Sequence, residues 1–347
     1  IDGCYIELIG DVKKEFKLEI FDDNHNLYYE SIIKPGMWTK LNRKYFMNSY
    51  YKLYDGDTLI MSDKLNLKNN SVLMSFESKS LGDTLAWLPY CEEFRKKHNC
   101  KVIVSTFWNH FFEDTYPDLK FINPGGLVQN VVAVYRLGWF YDEDKEPVQP
   151  NLIPLQKSAT NILGLDFEEI KPYIKYNISE RLISEKYITI ATQSTAGLKY
   201  WNNPNGWQVL IDYLSNLGYK IVHVSKEGTE LKNVEQLSDT SIENTINYIH
   251  HSEFFIGLSS GLSWLSWAIG KHVVMISNFT TPDHEFTSNC TRIINHDVCN
   301  GCWNNPLFKF DKGDWNWCPE FKNTERHFEC HKSITPEMVI NKIQHLL

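Results

Sequence analysis

The sequence predicts an α/β protein in which two doubly wound halves follow a β-rich N-terminal segment. Short alternating segments crowd the first 70 residues, and a strand, helix, strand order then appears after Ser71 and again near residue 187. A chain of 347 residues is also too long for one ordinary core, so more than one domain is expected.

Residues 1–70 are expected to form a β-rich domain. The segments YIELIG, EFKLEIF and NLYYESII alternate apolar and polar side chains, and the sequences KPG and DGD are typical of turns.

A second domain is expected over residues 71–180. SVLMSF is typical of a buried strand, GDTLAWLPYCEEFRKKHN has helical spacing, and KVIVSTF is typical of the next strand, which together predict a βαβ unit and a parallel sheet. NLIPLQKSATNILGL is expected to be helical, and KPYIKYNIS is expected to be a linker.

A third domain is expected over residues 181–347. KYITIAT, NPNGWQVLIDYLSNLG and YKIVHVS repeat the strand, helix, strand order, and EFFIG, SGLSWLSWAIG and HVVMIS repeat it once more. Thr240 and Glu243 have the spacing of a capping box before the helical segment NTINYIHHS.

Charge and hydropathy exclude two classes of partner. The net charge of −8 and the absence of a Lys or Arg run argue against nucleic acid. The most apolar window, residues 254–270, is shorter than the ~20 residues that a spanning helix needs. We therefore expect a soluble protein without a membrane span. Ile1 in place of an initiator Met is typical of a trimmed chain.

The sequence GLSSG at residues 257–261 admits two functions. It fits the G-x-S-x-G nucleophile elbow, with Ser259 as the nucleophile. It also suits a phosphate cradle, because Ser259, Ser260 and Gly261 at a helix N-terminus offer N–H and hydroxyl donors. No HGGG oxyanion loop is present, and the downstream Asp and His residues have no specific placement. The pattern therefore favours a phosphate cradle, with a serine hydrolase and plain helix–sheet packing as alternatives.

Gly82 and Asp83 lie at the first predicted strand-to-helix junction. In a parallel sheet this junction is at the ligand-binding edge, where an Asp can act as a general base. An Asp at that place can equally be an N-cap.

Two further side chains lie after strands of the second half. Lys199, beyond KYITIAT, could neutralise a phosphate or be an ordinary surface lysine. Glu227, beyond YKIVHVS, could accept a hydrogen bond from a ribose hydroxyl.

Four of the eight cysteines crowd together near the C-terminus. Cys299 and Cys302 form a C-x2-C pair, and Cys318 and Cys330 come later in a turn-rich loop. Four thiolates suit a structural zinc or iron ion, with His331 as a possible substitute ligand. Two disulfides or free thiols are the alternative.

Four motifs in order carry a family resemblance: GDTLAW, TAGLKYWNNPNGW, GLSSGLSWLSWAIGK and CNGCW. Together they resemble the bacterial autotransporter heptosyltransferases, which are relatives of the lipopolysaccharide heptosyltransferases. The resemblance covers most of the chain.

This resemblance implies a fold and a reaction. The fold would be a GT-B glycosyltransferase with two Rossmann-like domains, an active site in the cleft between them, the N-terminal β-rich domain and a four-cysteine metal finger over residues 298–331. The reaction would transfer heptose from ADP-heptose to Ser or Thr hydroxyls of an autotransporter adhesin in the cytoplasm. The assembly would be a homo-oligomer, a dodecamer in the known example.

The resemblance also implies roles for individual residues. Asp83 would be the general base of an inverting transfer, which needs no catalytic metal. Cys299, Cys302, Cys318 and Cys330 would hold a structural iron, with zinc possible. The substrate-binding residues would be Gly82, Thr84, Thr195, Lys199, Glu227, Ser259, Ser260, Gly261 and Leu262.

One departure from the related lipopolysaccharide enzymes weakens a lipopolysaccharide acceptor. Those enzymes usually carry a His after the turn, where this chain has Ser263 and Trp264. Alternatives are another nucleotide sugar, a cell-envelope glycan acceptor, a serine hydrolase using Ser259, and a catalytically silent assembly module.

Overall fold

The computed structural model describes residues 3–347, so Ile1 and the interpretation attached to it lie outside the described residues. The chain forms two compact units. Of the described residues, the first comprises 3–79, 87–150 and 156–168, and the second comprises 80–86, 151–155 and 169–347. The expected division at residues 70 and 180 stays a prediction.

The N-terminal region is β-rich. A four-stranded antiparallel sheet has the order β3-β2-β5-β6, and a separate pair joins β1 to β4. Leu18, Ile20, Ile33 and Leu53 are buried in its core, because alternate residues of these strands face inward. The strands are β1 (Tyr5–Glu7), β2 (Phe16–Phe21), β3 (Leu27–Ile33), β4 (Trp38–Lys40), β5 (Tyr50–Asp55) and β6 (Thr58–Lys64).

The next sheet along the chain has four parallel strands, in the order β10-β7-β8-β9. The expected βαβ unit is confirmed as β7 (Ser71–Phe76), α1 (Leu81–His98) and β8 (Lys101–Ser105). The sheet is completed by β9 (Leu119–Ile122) and β10 (Val131–Leu137), and α2 (Leu155–Leu163) confirms the helix expected near residue 160.

The second unit is built on a six-stranded parallel sheet. Tyr187–Ile190 and Val273–Ile276 are buried along their whole length, as expected for strands covered on both faces. The strands are β11 (Tyr187–Ile190), β12 (Lys220–His223), β13 (Glu235–Gln236), β14 (Phe255–Gly257), β15 (Val273–Ile276) and β16 (Cys290–Ile293).

Five helices accompany this sheet: α3 (Gly206–Asn216), α4 (Ile242–His251), α5 (Gly261–Ala268), α6 (Glu329–Lys332) and α7 (Pro336–Ile343). The prediction that the capping box before α4 begins at Thr240 is wrong by one residue. Ser241 is the N-cap of α4, because its hydroxyl accepts from the Asn244 N–H at 3.4 Å and Asp239 holds that hydroxyl at 3.0 Å. Across residues 3–347, no helix is both long enough and apolar enough to cross a bilayer.

Candidate functional site

The order of strands locates a ligand site in the second unit. That order is β13-β12-β11-β14-β15-β16, so the direction in which the chain adds strands reverses between β11 and β14. In parallel sheets of this kind, ligands bind beyond the carboxyl ends of the strands at the reversal. Lys199 lies in the segment after β11, and Ser259, Ser260 and Gly261 lie directly after β14.

The turn after β14 is tightly built. A Cβ at Gly257 would lie 2.5 Å from the Phe255 ring, so only glycine fits there. The Ser263 hydroxyl donates to the Leu258 carbonyl at 2.5 Å. Ser260 is the N-cap residue of α5, yet its hydroxyl is buried and makes no hydrogen bond within residues 3–347. The first turn of α5 therefore keeps donors for a ligand.

The N-terminus of α1 belongs to the same unit. Its hydrogen bonds show that Asp83 is not the N-cap residue of this helix. The Ser80 hydroxyl accepts from the Asp83 N–H at 3.3 Å, and the Thr84 hydroxyl donates to the Ser80 carbonyl at 3.0 Å. Ser80 therefore caps the helix, and Asp83 is a buried carboxylate in its first turn, 9% exposed.

The N-termini of α1 and α5 meet at two glycines. A Cβ at Gly82 would lie 3.2 Å from the Gly261 Cα, and a Cβ at Gly261 would lie 3.5 Å from the Gly82 nitrogen. Each helix N-terminus carries unpaired N–H groups and a partial positive charge. Because the two first turns are this close, N–H groups of both helices are available to a single anion.

Lys199 is the cationic side chain that the sequence predicts for this site. Its side chain is half-buried in the 3-10 turn Gly197–Lys199, and its Nζ lies 5.7 Å from the centre of the Phe279 ring. Burial lowers the pKa of Lys199, while the carboxylates of Glu285 and Asp83 oppose that shift. The ion pairs within residues 3–347 do not include Lys199. The electrostatic interaction with Asp83 links this half-buried ammonium to the first turn of α1, and an ammonium so placed could bind an anionic ligand.

Sequence reasoning missed Glu285. Its carboxylate accepts from the Ser259 hydroxyl, from Thr280 at 3.0 Å and from the Arg292 guanidinium at 2.6 Å. Burial alone would raise the pKa of Glu285, but Arg292, His284 and the Ser259 hydrogen bond lower it to about 2. No short motif signals this network, because strand β15 separates Ser259 from Glu285 along the chain.

These contacts leave no support for Ser259 as a nucleophile. Its proton is donated to Glu285, a carboxylate of low pKa that is paired with Arg292 and is therefore a poor base. His284 is the imidazole next to Glu285 in sequence, but the Ser259 hydroxyl donates to the carboxylate of Glu285 and not to this ring.

Three of the expected substrate-binding residues take no part in these contacts. Thr195 and Glu227 are exposed in the segments after β11 and β12, and Leu262 is half-buried in α5. Burial lowers the pKa of His223, at the end of β12, and the carboxylate of Glu227 opposes this shift.

The four C-terminal cysteines lie near one another. Burial raises the pKa of the Cys330 thiol, and the thiols of Cys299, Cys302 and Cys318 raise it further. All eight cysteines are free thiols, so the disulfide alternative is wrong. Within residues 3–347, no three His, Cys, Asp or Glu side chains are gathered at metal-binding geometry. His331, the possible substitute ligand, uses its Nε2 to accept from the Asn278 N–H at 3.2 Å.

Comparison with known proteins identifies relatives that match almost the whole chain, although no family model matches it. The chain is 36% identical over 352 residues to the autotransporter heptosyltransferase Aah of Escherichia coli, covering 96% of this chain and 89% of Aah. It is 31% identical over 358 residues to BimC of Burkholderia thailandensis, which is named an inactive autotransporter heptosyltransferase, covering 99% of this chain and 84% of BimC.

The third relative has solved structures. The crystal structure of TibC from enterotoxigenic E. coli H10407, described as an iron-containing dodecameric glycosyltransferase, matches with a TM-score of 0.90 at 32% identity, covering 99% of this chain and 93% of TibC. A second TibC structure, in complex with ADP-D-β-D-heptose, matches with a TM-score of 0.89. On identity, coverage and fold together, the chain belongs to the autotransporter heptosyltransferase family of glycosyltransferases.

Proposed function

We propose that this glycosyltransferase moves heptose from ADP-heptose to Ser or Thr hydroxyls of an autotransporter adhesin. One observation carries the proposal: Lys199, half-buried and in no ion pair of the described residues, lies in the same site as the joined N-termini of α1 and α5. A nucleoside diphosphate is an anion that Lys199 and the N–H groups of the two helix N-termini can bind together. The ADP-heptose complex of the relative TibC supports the choice of donor.

The proposed transfer uses Asp83 as the base and the cationic groups of the site to stabilise the leaving diphosphate. Asp83 accepts the proton of the acceptor hydroxyl as that oxygen attacks the anomeric carbon. The bond from this carbon to the phosphate oxygen breaks, and ADP leaves with the bonding electrons. Attack from the face opposite ADP inverts the anomeric centre. Lys199 and the N–H groups of α1 and α5 stabilise the charge that develops on the diphosphate.

The same proposal assigns two further residues of the expected site. Thr195 binds the diphosphate from the segment after β11, and Glu227 binds the ribose from the segment after β12. We also propose the GT-B arrangement with domains at 1–70, 71–180 and 181–347. The two parallel sheets, one in each compact unit, support it.

Replacing Lys199 tests the diphosphate site. Lys199→Met should raise the Kd for ADP about tenfold to hundredfold, because it removes a charge-assisted contact of about 1.5–3 kcal/mol. Isothermal titration calorimetry measures this change. Lys342→Met, at an exposed lysine of α7, is the matched control and should leave the Kd unchanged. An unchanged Kd in Lys199→Met would contradict the proposed site.

We propose that Cys299, Cys302, Cys318 and Cys330 hold a structural iron. The donor set fits, because four free thiols that interact electrostatically are soft ligands of the kind that iron and zinc prefer. The description of TibC as iron-containing supports iron over zinc. Bound metal would link the turns of a loop that has few regular elements of its own.

We further propose a cytoplasmic homo-oligomer. Eight free cysteines favour a reducing compartment. Leu59, Ile60 and Met61 are each about half-exposed on the edge strand β6, which favours an interface there, and TibC is described as dodecameric. Metal analysis of the peak from a calibrated sizing column should find iron near one ion per chain in an oligomeric species. A metal-free or monomeric peak would contradict the corresponding proposal.

A further inference from the structure

The loop that carries the cysteines packs against the turn that carries Lys199. We call residues 298–331 the cysteine loop. Each residue from Gly197 to Tyr200 contacts an aromatic ring. The ring belongs either to this loop or to Phe279, against which the loop packs. All of these residues belong to the second compact unit.

Trp315 makes the tightest of these contacts. A Cβ at Gly197 would lie 2.5 Å from the indole Nε1 of Trp315 and 2.9 Å from its Cε2. Glycine at this position is therefore required by the indole, which lies directly on the backbone of the turn. The ring of Tyr200 meets the same indole edge-on, with 6.0 Å between ring centres.

A buried aromatic cluster supports the other half of the turn. Leu198, Phe279 and Trp317 form its centre. The Phe279 ring lies 6.3 Å from Trp317 and 5.7 Å from the Nζ of Lys199. The backbone fixes the loop at this point, since Trp303 N–H donates to the Phe279 carbonyl at 3.1 Å.

We infer that Trp315 is a positioning residue for Lys199, and that the cysteine loop is thereby a wall of the diphosphate site. This inference rests on the proposed function of Lys199. A lysine on a free turn must be ordered each time a ligand binds, whereas a turn clamped between an indole and a buried cluster presents its ammonium ready for the diphosphate. Trp315 itself is 52% exposed, so part of the indole stays accessible while the rest lies on the turn.

The test measures binding of ADP and adenosine by calorimetry to the full chain. Trp315→Ala should raise the Kd for ADP about tenfold, because the turn that carries Lys199 must then be ordered when ADP binds. The Kd for adenosine, which has no phosphate, should stay the same. Gly197→Ala, which would push the indole away while keeping it, should reproduce this pattern. Trp38→Ala, at a tryptophan 60% exposed on β4 in the other unit, is the control and should change neither constant.

A double-mutant cycle separates this inference from the proposed function. If Trp315 acts through Lys199, then Trp315→Ala should have little further effect in the Lys199→Met background. Equal effects of Trp315→Ala in both backgrounds, or a parallel loss of adenosine binding, would overturn the inference alone. An unchanged Kd for ADP in Lys199→Met would overturn both. Should Trp315→Ala fail to fold, the Gly197→Ala result decides.

Discussion

Asp83→Asn should lower the rate of heptose transfer about a hundredfold to ten-thousandfold while leaving ADP binding intact. This range is the usual contribution of a general base, and the amide cannot accept the acceptor proton. The substitution should not uncap α1, because the Ser80 hydroxyl and not the Asp83 carboxylate is the cap. Single-turnover kinetics with ADP-heptose and an adhesin fragment measure the rate.

A matched control addresses the remaining structural role of Asp83. An acidic residue in the first turn of a helix stabilises it through the helix dipole, and Glu243 has this position in α4 with an exposed side chain. Glu243→Gln should therefore leave transfer unchanged. If Asp83→Asn unfolds the protein or abolishes ADP binding, Asp83 is a structural residue and the proposed base lies elsewhere.

Glu285→Ala should destabilise the protein by about 3–5 kcal/mol, the effect expected when one partner of a buried ion pair is removed. The Glu285 and Arg292 side chains are only 3% and 11% exposed, so the variant leaves a buried guanidinium without its carboxylate. It also removes the acceptor of the Ser259 hydroxyl and loosens the turn before α5. Urea unfolding measures the free energy, and Glu285→Gln should lose less because it keeps an acceptor.

The pH dependence of stability provides a second readout for Glu285. Its folded pKa of about 2 lies below the usual value of a glutamate, so its contribution is complete above about pH 4.5 and is lost as the pH falls towards 2. The Glu285→Ala variant should lack this part of the acid transition. Glu93→Ala, at an exposed pair with Lys96, should unfold with the wild-type profile. A full-strength acid transition in Glu285→Ala would contradict the assigned pair.

The alternation of strands and helices was predictable because parallel strands covered on both faces are short continuous apolar runs. SVLMSF, KYITIAT and HVVMIS show this pattern, and each forms a strand. The short strand β13 (Glu235–Gln236) was not predictable, since it has two exposed polar residues and pairs only at the edge of the sheet.

The candidate site was predictable where one local motif supplies the group. The strand-to-helix junctions at Gly82 and Gly261 were recognisable from their glycines, and the structure brings those two glycines into contact. Glu285 and Trp315 were not recognisable, because each acts on a residue far away in sequence and neither has a local motif. The capping residue of α4 was displaced by one position because Thr240 and Ser241 are chemically alike, and only Asp239 decides between them.

Calorimetric titration of the wild-type protein with ADP-heptose, with UDP-glucose as the competing donor, tests the proposed donor specificity most directly. We predict that ADP-heptose binds, that UDP-glucose neither binds nor displaces it, and that Lys199→Met weakens the binding of ADP-heptose. Binding of UDP-glucose in preference, or of neither nucleotide sugar, would contradict the claim that this chain is an ADP-heptose transferase.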